Sequence, residues 1–211
     1  VVPRDPRIPG QEHPKVLSYV DVLLRGAEVG KTVAVVGAGG IGFDVAEFLV
    51  HGSRPAGTGG PDLATWMREW GVTDPEVEAG GVTKPRPEPP ARKVYLLQRK
   101  KTRPGAGLAK TTGWIHRAAL KMKDVEMIAG ARYDQVDDRG LTVSFGEKGE
   151  RTRLLEVDNV VLCAGQEPLR ELESPLRAAG ARVHLIGGAD VAAELDAKGA
   201  IEQGTRLGAS L

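Results

Sequence analysis

The chain has 211 residues, enough to bury an ordinary core, and sets 29 Lys and Arg against 28 Asp and Glu for a formal net charge of +1. No global field therefore draws nucleic acid or an anionic membrane, and any anion site must be local. One cysteine, Cys163, excludes an internal disulfide framework and a cysteine-rich metal centre, and apolar runs such as Val33 to Val36 and Val160 to Ala164 fall far short of the roughly 18 residues a membrane-spanning helix needs.

Val1 to Gly10 is rich in Pro and Arg and lacks the apolar segment of a secretory leader. With no initiator Met, Val-Val-Pro-Arg reads as the exit from an earlier strand, so the expectation is a piece of a longer protein. Ser18 is placed to cap a short helix through Leu24. Gly26 and Gly30 lead into Lys31 to Val36, a β-branched run of the kind that forms a buried parallel strand. Gly37 to Gly42 turns it, and Phe43 to His51 has helical spacing. Residues 52–92 shift towards Gly and Pro around one expected helix, Asp62 to Trp70, with Asp62 as cap and Leu63, Trp66, Met67 and Trp70 on one face. This segment reads as an insertion packed on the domain.

Lys93 to Gln98 is the next expected strand. Thr111 or Thr112 caps a helix through Leu120, and Val125 to Ile128 is a short strand. Tyr133 to Val136, Leu141 to Phe145 and Arg151 to Val157 form an antiparallel meander around Asp138-Arg139-Gly140. Asp158 to Gly165 is a buried strand ending on glycine. Val183 to Ile186 is a last strand, followed by Gly187 to Asp190 and a helix through Leu207. The order predicts an α/β fold, a Rossmann-like parallel sheet with helices on both faces and an antiparallel meander.

Gly37-Ala38-Gly39-Gly40-Ile41-Gly42 fits G-x-G-x-x-G between strand and helix, where bare glycines let a dinucleotide pyrophosphate approach the helix N-terminus. Asp44, in the first turn, reads as a helix-dipole residue. An NAD site wants an acid at the end of the second strand; here that end is Gln98-Arg99-Lys100-Lys101. Cations there suit a 2′-phosphate, Arg99 as a fork and Lys100 as a point charge, so NADPH is expected over NADH; the alternative is a solvated basic loop. The insertion places this run beyond the usual spacing of about 20 residues. Gly105 to Thr111 fails the phosphate-loop pattern, having Ala109 before Lys110 and Pro104 where a glycine is required. No catalytic residue emerges: His116 lacks a partner carboxylate at any recognisable spacing. Gly187-Gly188-Ala189-Asp190 is similar to the second flavin fingerprint of two-dinucleotide-domain reductases, with an Asx-type cap as the other reading.

The segments Gly39 to Asp44, Leu97 to Lys100, Lys110 to Arg117 and Asp158 to Pro168, with His13 to Tyr19, Gly187 to Ala192 and Glu194 to Ala197, together resemble the bacterial NADPH-dependent 2,4-dienoyl-CoA reductases. That resemblance implies a glutathione-reductase-like pair of domains for FAD and NADPH, which in the family follows a barrel holding FMN and a 4Fe-4S cluster. It assigns residues 1–28 and 164–211 to flavin-domain remnants and 29–163 to the NADPH domain, with Gly165, Gly188 and Asp190 at the FAD. The barrel and the first flavin glycine motif are then the missing partners, and the compartment is the cytoplasm. A stand-alone NADPH-binding module and an electron-transfer subunit of another flavin oxidoreductase are the competing readings.

Overall fold

The computed structural model describes residues 1–51, 62–147, 149–193 and 196–211. Its centre is a parallel sheet built from β2 (Val16–Ser18), β3 (Thr32–Val36), β4 (Lys93–Leu97), β5 (Glu126–Ile128) and β9 (Asn159–Leu162), in the order β2-β9-β3-β4-β5. Every neighbouring pair is parallel, with Val36 beside Leu97 on one side and Leu162 on the other, so the C-terminal ends of the three central strands finish level. Such strands are covered on both faces, which explains the near-continuous apolar runs of β3 and β4.

The two coverings differ. On one face α1 (Tyr19–Leu23), α2 (Gly40–His51) and α4 (Gly113–Met122) bring Val22, Phe43, Val45, Leu49 and Leu120 against Val33, Val35, Val94, Leu96 and Val161. On the other, Ala34, Val36, Tyr95, Leu97 and Val160 meet the antiparallel sheet of β6 (Arg132–Asp137), β7 (Gly140–Phe145) and β8 (Arg151–Glu156) through Val136, Leu141, Val143 and Leu155. The α/β class with parallel sheet and meander holds, but the second face carries the meander where helices were expected. Alternation along β6 to β8 supplies an apolar face wide enough to take their place. Residues 8–15 strap this meander: Val136 donates to Pro9, His13 Nε2 stands 3.0 Å from Asp138, and Lys15 Nζ donates to the Asp138 and Val157 carbonyls at 2.7 and 3.2 Å.

Local signals set most of the ends. Ser18 and Asp21 form a reciprocal capping box, and the Asp62 carboxylate accepts from the Thr65 amide at 3.0 Å to open α3 (Leu63–Trp70). Thr112 stands at the cap position of α4 but makes no side-chain cap. Asp158 and Asn159 accept from the amides of Thr32 and Gly30 at 2.8 Å each, pinning the entry to β3.

The insertion docks in an unexpected way. Leu63 and Trp66 are exposed, and the residue of α3 that is buried is Glu69. Its carboxylate takes the ammonium of buried Lys123, from the end of α4, at 2.5 Å and the Glu88 amide at 3.2 Å, while Lys123 also donates to the Glu88 carbonyl at 2.9 Å. An apolar stripe read from spacing alone misses this, because a satisfied ion pair buries a charged face as readily. The outer part of the expected insertion, residues 52–61, lies outside the described residues.

Among the described residues after Cys163, none is buried. β1 (Val2–Pro3) pairs antiparallel with β10 (Gln166–Glu167), and beyond it lie α5 (Glu173–Ala178) and α6 (Ala197–Gly208). Val183 to Ile186 is not a strand, a correction to the sequence reading: a strand exists by pairing, and no described segment pairs with it. β2 and α1, from the stretch assigned to the flavin domain, are part of the parallel sheet and its helical layer.

Breaking the Glu69–Lys123 pair from one side should cost about 3–5 kcal/mol, as for other buried pairs. Lys123→Ala is therefore expected to lower the melting temperature sharply, and Glu69→Gln with Lys123→Met together to cost much less. Burial alone would raise the Glu69 carboxyl, but the hydrogen bonds from Lys123 and the Glu88 amide and the Lys123 and His51 charges outweigh it and hold the group below its ordinary range. The pair's stability is thus full above the ordinary carboxylate pKa and lost as pH falls through the lowered value. Melting curves of parent and double variant across acid pH should converge.

Candidate nucleotide site

The C-terminal ends of β3, β4 and β9 and the start of α2 meet at one edge of the parallel sheet, the place where open α/β sheets bind ligands. Each glycine of the turn after β3 does something different there. Gly37 has φ +114°, a conformation that favours glycine, donates to the Leu97 carbonyl at 2.8 Å, and has no room for a Cβ against the Cys163 carbonyl. Gly42 is buried, and a Cβ there would fall on the Gly37 carbonyl, so it sets how closely α2 returns to the turn. At Gly39 and Gly40, both exposed, a Cβ would have nothing within 4 Å. The turn is therefore packed tight at its ends and open in its middle, above the first turn of α2, whose leading amides have no carbonyl four residues back within the helix. Ile41 is half-buried beside them and Asp44 is exposed.

Next to this turn, β4 ends on Leu97 and the chain runs out through Gln98, Arg99 and Lys100, the last two exposed. From Arg99 to Thr112 there are five cations and no acid, so a chain with a net charge of +1 carries a concentrated positive edge here. The run is braced: Gln98 Nε2 donates to the Lys100 and Thr102 carbonyls, and Gly130 and Ala131 donate to the Lys100 and Gln98 carbonyls at 3.0 Å each. Tyr133 lies near enough for Arg99 to act on it; burial pushes its phenol up to about 12, with the Arg99 charge pulling the other way.

The loop between this run and α4 leans on α2. A Cβ on Gly105 would crowd the Phe43 ring at 2.7 Å, and the Gly105 carbonyl accepts from Arg117 at 2.9 Å. His116 Nδ1 stands 3.5 Å from a Glu47 carboxylate oxygen on α2, a partner 69 residues away that no sequence spacing reveals. Lys110, Thr111 and Thr112 are exposed.

Gly165 also belongs to this edge. It follows β9 with φ +104°, and its carbonyl accepts from the Arg4 amide at 3.0 Å, next to the antiparallel pair of β1 and β10. Gly188 lies in a 3-10 turn (Gly187–Ala189) that ends at Asp190 and is braced by α6. The Gly187 amide donates to Gln203 at 2.6 Å, and Gln203 donates to the Asp190 carboxylate at 3.1 Å. Asp190 does not cap a helix; α6 starts at Ala197 and is capped by Asp196. No described hydrogen bond joins this turn to Gly37–Gly42. Glu194 and Leu195, within the resemblance, lie outside the described residues.

The model of one family, the pyridine nucleotide-disulphide oxidoreductases, matches residues 1–198. The chain belongs to the pyridine nucleotide-disulphide oxidoreductase family. That is a family of oxidoreductases that use FAD and a nicotinamide nucleotide. Among solved structures the chain is similar to 2-naphthoyl-CoA reductase, at 18% identity and TM-score 0.70 over 99% of this chain and 25% of that one. A 6-hydroxypseudooxynicotine amine oxidase from Pseudomonas geniculata N1 gives 19%, 0.69, 99% and 26%, and histamine dehydrogenase from Rhizobium sp. 4-9 gives 16%, 0.62, 100% and 27%. The chain spans about a quarter of the length of these three proteins, and likeness at such identity is likeness of fold. Although the family is named for disulphides, these residues hold a single cysteine, buried with its thiol pushed up to about 12 by desolvation. Among the described residues no group of His, Cys, Asp or Glu could hold a metal, and no helix is long and apolar enough to cross a membrane.

The open middle of the turn gives a substitution there room without disturbing the packing. Gly39→Val should keep the parent's melting temperature within a few degrees and lose pyridine nucleotide binding, because its side chain would fill the space a pyrophosphate needs. Gly42→Val should instead fail to fold, since its side chain meets the backbone of Gly37. Normal nucleotide binding by a folded Gly39→Val protein would place the phosphates elsewhere.

Proposed function

We propose that this domain binds NADPH in the turn Gly37–Gly42, with the 2′-phosphate at Arg99 and Lys100, and serves a flavoprotein reductase as its electron entry. The observation that carries the reading is the pairing of the two features on adjacent strand ends: an open glycine turn at the N-terminus of α2, and a braced cationic run where an NAD site would place an acid. Gly39, Gly40 and Ile41 would bring backbone amides to the pyrophosphate. Arg99 offers its fork to the phosphate oxygens and Lys100 adds charge. The bound nucleotide would supply a hydride to FAD. Gly165, Gly188 and Asp190 are the residues we assign to the flavin; Asp190, held by Gln203, presents a carboxylate that suits a hydroxylated chain.

For the whole reductase we propose the 2,4-dienoyl-CoA type of unsaturated fatty acid oxidation, acting in the cytoplasm, in which electrons pass from FAD through a 4Fe-4S cluster to FMN on a barrel. The run Lys110 to Arg117 supports this member of the group. The barrel and a first flavin glycine motif would be this domain's partners, and no residue described above is a candidate acid or base for the substrate. A separate electron-transfer subunit would show the same nucleotide site.

NADPH should bind at least about tenfold more tightly than NADH, since charge-assisted contacts contribute roughly 1.5–3 kcal/mol each. Calorimetric titration with both nucleotides, repeated on Arg99→Ala, checks this: the variant should lose the preference and keep its NADH affinity, and equal affinities in the parent would overturn the NADPH assignment.

A further inference from the structure

We infer that Gln98 is a specificity-positioning residue, which shapes the run Arg99 to Arg103 into a cradle for a phosphomonoester and so sets the preference between nucleotides with and without a 2′-phosphate. The inference rests on the NADPH reading above. Gln98 is the first residue past β4, and its backbone is fixed on both sides: its amide donates to Ile128 at 2.9 Å and its carbonyl accepts from Ala131 at 3.0 Å. The side chain therefore leaves a rigid base. Its single amide group reaches two carbonyls of the run, Lys100 at 3.0 Å and Thr102 at 2.5 Å, and Gly130 adds a second hydrogen bond to Lys100.

In a planar trans peptide the C=O and the N–H of the next residue point in opposite directions. With the Lys100 and Thr102 carbonyls turned inward to Gln98, the amides of Lys101 and Arg103 face outward, and neither donates to a described group. Two outward amides among four cationic side chains supply donors of the kind that hold oxyanions. The same inward turn keeps two carbonyl oxygens away from a bound anion they would repel. Gln98 touches no nucleotide in this scheme; it acts by orienting the peptide planes that do.

Removing the donors while keeping the bulk isolates this role. In Gln98→Leu, NADPH affinity should fall about tenfold while NADH affinity stays within about twofold, measured by calorimetry on protein whose fold is checked by melting. 2′-Phosphoadenosine should weaken with NADPH, and adenosine should not change. Gln98→Met, read the same way, serves if the Leu variant fails to fold. A structural role alone would weaken NADPH and NADH by the same factor, and that result, or an unchanged ratio in either folded variant, would overturn the inference. A parent with no preference for NADPH would be a different failure, that of the NADPH reading itself.

Discussion

The levelling of β3, β4 and β9 at their C-terminal ends is the constraint on which the rest of the molecule depends. Parallel strands need crossovers, and each helical crossover brings a helix N-terminus to the same edge. In this chain α2 and α4 both start there, α2 from an open glycine turn and α4 from a loop tied to α2 through Gly105, Phe43 and Arg117. Unpartnered amides, strand-end glycines and a cationic run are thereby collected within one surface by topology alone. The meander on the opposite face completes the burial of β3 and β4 without approaching this edge with helices of its own.

Much of this was legible in the sequence because it depends on short-range rules. Val33 to Val36 could hardly be anything except a buried strand, and six residues of glycine pattern directly after it located the turn that the structure builds. Ser18 and Asp62 announced their helices through capping chemistry that acts over three residues. The meander was readable from alternation, with Asp138-Arg139-Gly140 marking its first turn, while the hydrogen bond from the Gly140 amide to the Asp137 side chain is seen only in the fold.

What was not legible depends on partners distant in the chain. Nothing around Glu69 announces Lys123, 54 residues on, so the spacing of Leu63, Trp66, Met67 and Trp70 marked one face of α3 and missed Glu69, the residue it buries. Glu47 and His116 are invisible to each other for the same reason. Val183 to Ile186 has strand composition and finds no described partner, and the hydrogen bond from Gln203 on α6 to Asp190 joins residues 13 apart that no local pattern links. Gln98 is the instructive case: its place between strand and cations was plain, but the two carbonyls it gathers are a property of the folded loop.

The central claim, that the glycine turn and the cationic run hold the two ends of one nucleotide, is tested most directly by the crystal structure of this chain grown with NADPH. The account predicts pyrophosphate oxygens within hydrogen-bond distance of the Gly40 or Ile41 amides, and the 2′-phosphate between Arg99 and Lys100. A nucleotide bound away from α2, or one whose 2′-phosphate points into solvent with Arg99 and Lys100 disengaged, would contradict it.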